Sequence, residues 1–370
     1  MDTPTASAPT AAREAGIFGL APESENFLHL DLMRFIASMG IVIIHFAGRL
    51  GFSDLQVAGL NFFVDIFFVI SGIVITYVYQ DRIATASQTG DFLVARAARL
   101  LPLHFLMTFA FVALGLLSGL IGVAVNDADK YDFACLPASL FLTHAVVGCD
   151  HPVFNFVSWS ISAEFVMYLL FPLLIGVFAR RRGILLGLAI GFVLLFSLFD
   201  WGWWERTYDH GVMRAIPAFM LGMAAWLFRD DLARLPVRSW MFVPLVLALL
   251  GAMAVLGESF PALLCSYAVV LVLLAMDLRT EAYSATVRYL APLGQLTYST
   301  YMIHTLFHAI VLAFIAQRIL HLQGLALHAA SWLSLPVLIA LSYASLIWFE
   351  TPARKWLRAR FSRRVAVTGK

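Results

Sequence analysis

An aspartate, an arginine and a histidine interrupt the otherwise apolar run LDLMRFIASMGIVIIHFAG at residues 30–48. On a helix, Asp31 and Arg34, three residues apart, sit side by side on one face. Arg34 and His45 are eleven apart, about three turns, so they share that face about 16 Å apart along the axis. An ionisable group inside a membrane helix costs at least ~2.5 kcal/mol and therefore turns toward protein or a water-filled interior. Three on one stripe suggest a polar cleft running inward from a membrane surface. The alternative is an ion pair where the helix leaves the bilayer, with an interfacial histidine bonded to a backbone carbonyl.

Further residues with chemistry to offer lie along the chain. Asp65 is a second intramembrane carboxylate, in NFFVDIFFVISGIVITYVYQ, where Ser71-Gly72 lets a helix or a ligand approach the backbone closely. Arg96 and Arg99 stand one turn apart before Pro102; their planar forks suit a phosphate ligand, and ordinary positive-inside anchoring would place them there too. In WSISAEFVMYLLFPLL, Ser160 and Glu164 share a face, and the carboxylate suits orienting a histidine or starting a helix. Tyr298, Tyr301 and His304 cluster within two turns of GQLTYSTYMIHTLFHAI. Glu350 and Pro352 read as the end of the last span.

The elements that must hold these residues are membrane helices. A 370-residue chain that is 61% hydrophobic and 13% charged, with mean hydropathy +0.85, is not a soluble globule. A net charge of +2 gives no argument for nucleic acid. The pattern predicts an all-α polytopic protein with about ten spans, near 28–48, 60–80, 101–125, 157–178, 184–200, 211–228, 240–256, 260–277, 296–316 and 330–349. The apolar piece 133–147 is short for a span and reads as re-entrant or interfacial. Residues 1–26 lack the marks of a secretory signal and read as a disordered tail; 357–370 read as a basic tail. With ten spans, nineteen of the 25 Lys and Arg fall on the side of the termini and five across the bilayer, which places both ends in the cytoplasm. Cys135 and Cys149 then share an outward connection, where an oxidising periplasm permits pairing but spacing does not require it. Cys265 reads as packing, and no Cys/His spacing suggests zinc or another metal.

Six motifs occur in one order: R-x10-H (Arg34, His45), FFVISG, RxxRxxP (Arg96, Arg99), WSxSxE (Ser160, Glu164), YSxYxxH (Tyr298, Tyr301, His304) and FExPxRKW. In these the chain resembles acyltransferase family 3, integral-membrane enzymes that acylate glycans and some small molecules, over residues 30–356. It departs in LDLMRF, where the family commonly has glycine after the aspartate. The resemblance implies O-acyl transfer from cytoplasmic acyl-CoA, most often acetyl-CoA, to a hydroxyl of a surface polysaccharide or lipid-linked glycan at the bacterial inner membrane. Arg96 and Arg99 would hold the donor phosphates, and the acyl-pantetheine arm would pass Asp31 and Arg34, with Ser160, Tyr298, Tyr301 and His304 among the contacts. His45 would be the general base, partnered by Glu164 or, second, Asp65. Ser71-Gly72 would give the thioester backbone room and an oxyanion amide. Direct transfer is preferred to an acyl-enzyme on His45 or Ser71, because no serine shows a nucleophile-and-base spacing. Acylation of a cytoplasmic small molecule such as a macrolide, or a secondary transporter or flippase, are the alternatives.

Overall fold

The computed structural model describes residues 17–20, 26–120, 128–149, 151–279 and 283–362. Most of the expected N-terminal tail, and residues 363–370 of the expected basic tail, lie outside the described residues.

Long runs of Leu, Ile, Val and Phe become helices here because lipid offers no partner to a backbone N–H or C=O, so each must be satisfied within its own segment. Ten apolar helices result: α1 (Leu28–Leu50), α2 (Asp54–Tyr79), α3 (Ala86–Leu120), α4 (Phe156–Phe178), α5 (Arg182–Phe199), α6 (Val212–Leu227), α7 (Ser239–Leu256), α8 (Phe260–Leu278), α9 (Ala285–Ile319) and α10 (Gly324–Phe361). Nine of these are long and apolar enough to cross a membrane, and α6 is shorter at 16 residues. No strand occurs among the described residues. The chain is an all-α polytopic integral membrane protein.

The starts of α3 and α9 and the end of α10 each differ by more than ten residues from those read in the sequence, α9 beginning at Ala285 rather than 296. Helix α3 begins at Ala86 rather than 101 and carries Pro102 inside it, so Arg96 and Arg99 lie on the helix and not in a loop. Membrane helices tolerate an internal proline because neighbouring groups satisfy the freed carbonyl. Helix α10 likewise does not stop at Glu350. A π-helical turn at Leu346–Glu350 precedes Pro352, and the helix runs on to Phe361. The wider turn removes the demand for an i−4 bond where proline has no N–H to give. In the piece 133–147 the only α-helix is Leu136–Leu140, too short to span.

Three devices fix the bundle around the site. Helices α2 and α6 meet backbone to backbone: a Cβ on Gly72 would strike Phe219 and Met223, and one on Gly222 would strike Val69 and Ile73. Beside them Asp65 of α2 pairs with Arg214 of α6 at 2.5 Å, both side chains wholly buried. Arg214 also donates to the carbonyls of Asn61 and Arg206 and lies over the Trp159 ring. Third, a disulfide joins Cys135 to Cys149 and closes the connection between α3 and α4. Within that connection His144 bonds Ala138 O at 3.3 Å and Ser158 Oγ at 3.2 Å, and burial pushes its imidazole below the ordinary range.

Candidate active site

A cavity enclosing about 830 Å³ of empty space, part of it open, opens between α1, α2, α3, α4 and α9. Its polar lining is Arg34 from α1, Ser71 from α2, Arg96 and Arg99 from α3, Ser160, Glu164 and Tyr168 from α4, and Thr297, Tyr298 and Tyr301 from α9. Phe67, Phe68, Val74 and Ile161 supply apolar wall. Three guanidiniums therefore converge on one space, because i, i+3 spacing on α3 puts Arg96 and Arg99 on the same face. Arg96 is braced by Tyr79, donating to its hydroxyl at 3.2 Å and lying 5.3 Å from the ring centroid. Arg34 is 3.4 Å from Asp31, which is not part of the lining.

Glu164 is the acceptor at the centre of a small network. Ser71 Oγ donates to it at 2.6 Å and Tyr168 OH at 2.5 Å. Tyr298 OH donates to Leu100 O, tying α9 to α3. Ser160 and Tyr301 of the lining have hydroxyls 2.8 Å apart, with the Phe67 ring edge-on to Tyr301.

His45 is not in the cavity lining; it connects to the lining residue Tyr301 through His304. Its Nδ1 lies 2.8 Å from His304 Nε2, and His304 Nδ1 lies 2.7 Å from Tyr301 O. A carbonyl only accepts, so His304 carries its proton on Nδ1 and accepts at Nε2. His45 then donates from Nδ1, which leaves the lone pair on its Nε2 available to a ligand. Phe156 stands edge-on to the His45 ring. One turn farther along α1, Arg49 donates to His308 Nε2 at 2.6 Å and to Gln317 Oε1 at 2.8 and 3.1 Å.

Several sequence expectations need correction. Neither carboxylate proposed as the His45 partner holds that place. Glu164 is engaged by Ser71 and Tyr168 inside the cavity, Asp65 is bound to Arg214, and the partner is His304. His304 itself, expected among the donor contacts, lies beside His45 and outside the lining. Gly72 faces α6, so its missing side chain serves helix packing and gives no room to a thioester. Ser71, Arg34, Arg96, Arg99, Ser160, Tyr298 and Tyr301 all line one cavity. Among the described residues Asp132, Cys135 and His151 bring possible metal-ligand atoms within 4.8 Å of one another. The Cys135 sulfur, however, is bonded to Cys149 and offers no thiolate.

The model of acyltransferase family 3, described as an acyltransferase domain, matches residues 27–350. The chain belongs to acyltransferase family 3. Among curated proteins it is similar to "Acyltransferase MdmB" of Streptomyces mycarofaciens, at 28% identity over 166 residues. That match covers 42% of this chain and 40% of the relative's length. No solved structure matches. Residues 27–350 are thus an acyltransferase family 3 domain built of membrane helices. Within the family domain, sequence reasoning missed Tyr168, whose place one turn after Glu164 on the same face was the available signal. It also missed Asn155, which accepts from Thr305 Oγ1 at 2.7 Å and donates to Met302 O at 3.1 Å, holding the start of α4 against α9.

Proposed function

We propose that this acyltransferase moves an acyl group, most simply acetyl, from acyl-CoA to a hydroxyl of a surface polysaccharide or lipid-linked glycan, in the bacterial inner membrane. The observation that carries this reading is one cavity in which Arg34, Arg96 and Arg99 converge and whose lining residue Tyr301 is hydrogen-bonded to the His45–His304 imidazole pair. Arginine forks bind phosphate oxygens bidentately, so Arg96 and Arg99 hold the phosphates of the donor, and Arg34 lies along the path of its pantetheine arm. The apolar wall suits the acyl chain and the methylene stem. The arm reaches His45 when the Ser160–Tyr301 hydrogen bond opens.

His45 Nε2 takes the proton of the acceptor hydroxyl. The alkoxide oxygen attacks the thioester carbonyl carbon, the C–S bond breaks, and CoA leaves as the thiol after protonation. His304 fixes the tautomer that makes His45 a base and disperses charge when the ring is protonated. The Ser71–Glu164–Tyr168 network sets the polarity of the passage and holds α2 against α4. Acyl-CoA is here a co-substrate, and no step calls on a metal.

The deciding experiment uses purified protein in lipid nanodiscs with acetyl-CoA and a hydroxyl-bearing glycan. Release of free thiol that depends on acceptor supports the transferase reading. A transporter would release none, and that result would overturn it. Mass spectrometry of surface glycans with and without the gene then separates a glycan acceptor from a cytoplasmic small molecule.

A further inference from the structure

We infer that Ser239, His29 and Asp277 form a second, serine-nucleophile site that cleaves acyl esters or thioesters at the end of the bundle where α1 begins. His29 Nδ1 lies 2.7 Å from Asp277 Oδ1, and His29 Nε2 lies 2.8 Å from Ser239 Oγ. The carboxylate can only accept, so Nδ1 bears the proton and Nε2 presents its lone pair to the serine hydroxyl. That is the relation of roles that defines a Ser-His-Asp triad, which is recognised by geometry and not by chain order. The order here is His, Ser, Asp, with 210 residues between the first two, so no local motif could reveal it.

The surroundings suit each role. The His29 and Asp277 side chains are 1% and 0% exposed, while Ser239 is only half-buried and reachable from outside. Asp277 is also fixed by the backbone N–H groups of His29 and Leu30, each at 3.1 Å, and by the Tyr283 hydroxyl. The rings of Tyr283 and Phe242 flank the imidazole, with centroids 5.0 and 5.6 Å away. Ser239 opens α7 in a 3-10 turn where the N–H of Met241 already bonds Arg238 O and that of Phe242 bonds Ser239 O. The positive end of the helix dipole would therefore stabilise the oxyanion that forms at an attacked carbonyl. A structural role accounts for Asp277, which caps the start of α1. It does not account for a half-exposed serine aligned on the imidazole's free nitrogen. None of the three residues lines the cavity of Arg34, Arg96 and Arg99.

In the reaction, Ser239 Oγ attacks the carbonyl carbon as its proton passes to His29 Nε2. The bond from the carbonyl to the leaving oxygen or sulfur breaks, and the alcohol or thiol departs with that proton. Water then attacks the acyl-serine and gives a proton to the same nitrogen. The acid is released, and the proton returns to Ser239.

The test uses the full chain in nanodiscs and three probes: a fluorophosphonate, p-nitrophenyl acetate as the ester, and acetyl-CoA without acceptor as the thioester. The expected result is a phosphonyl adduct mapped by mass spectrometry to Ser239, absent in Ser239→Ala and formed at least tenfold more slowly in His29→Gln. The ester or the thioester should release its leaving group at a rate that Ser239→Ala abolishes, and the two arms identify which leaving group the site takes. Acceptor-dependent transfer should persist in Ser239→Ala, which separates this site from the one proposed above; loss of the transferase reading would leave the adduct untouched. An unlabelled Ser239 in folded protein, or equal turnover by wild type and Ser239→Ala, would overturn the inference. Thermal melts of both variants establish that they are folded.

Discussion

At the residue scale the chain gathers Arg34, Arg96 and Arg99 on one cavity and keeps the His45–His304 pair outside its lining, bonded to the carbonyl of the lining residue Tyr301. Replacing His45 by alanine removes the proposed base, and kcat should fall by about 10²–10⁴-fold while binding of the proposed donor is kept, as equilibrium binding of labelled acetyl-CoA would report. His304→Ala leaves the base but removes the hydrogen bond that fixes its tautomer, about 0.5–1.5 kcal/mol. Turnover should then slow by up to about tenfold, with the donor KM unchanged. Arg99→Ala should do the opposite. Loss of a charge-assisted bond worth about 1.5–3 kcal/mol raises the donor KM roughly ten- to a hundredfold with less effect on kcat. Wild-type turnover in His45→Ala would refute the mechanism while leaving family membership intact.

At the element scale, the spans were readable because lipid imposes a length and a hydropathy that sequence carries openly. Ten expected spans match ten helices; α9 starts earlier than expected, at Ala285, and the departures at Pro102 and Pro352 fall where a soluble-protein rule for helix ends does not hold in a bundle. Residues of the candidate site that share a short motif, such as Ser160 with Glu164, or Tyr298 with Tyr301, could be read together. Pairings across helices could not. His45 meets His304 from 259 residues away, and Asp65 meets Arg214 from 149, distances at which no spacing rule operates. The Asp65–Arg214 pair gives a prediction of its own kind. Asp65→Ala strands a buried guanidinium and should cost about 3–5 kcal/mol, seen as a lower melting temperature in detergent. The double variant Asp65→Leu/Arg214→Met should recover much of that loss, since an apolar pair of similar volume carries no desolvation penalty. Failure of the double variant to recover any stability would mean that Arg214 matters through Asn61, Arg206 and Trp159 instead.

At the scale of the whole molecule, the disulfide is the feature that speaks to placement. Cys135 and Cys149 close a loop with a sequence separation of 14, for which chain entropy gives about 3 kcal/mol. Such bonds persist in oxidising compartments, so the disulfide and the distribution of Lys and Arg both support the proposed outward placement of that connection. Reduction, or Cys135→Ser/Cys149→Ser, should lower thermal stability by about 2–4 kcal/mol and loosen the segment that carries Asn155 and Phe156 to the histidines. After reduction, a membrane-impermeant maleimide should label these thiols in intact cells stripped of the outer envelope; labelling only in inverted vesicles would reverse the assigned orientation. The hydroxyl pair in the cavity lining has one more consequence. A protein that passes a group from one aqueous phase to another risks short-circuiting the gradient between them, and a continuous thread of water would conduct protons. The Ser160–Tyr301 hydrogen bond predicts that no such thread runs through at rest, so acidified liposomes holding the wild-type protein should keep their pH difference and those holding Tyr301→Ala should lose it.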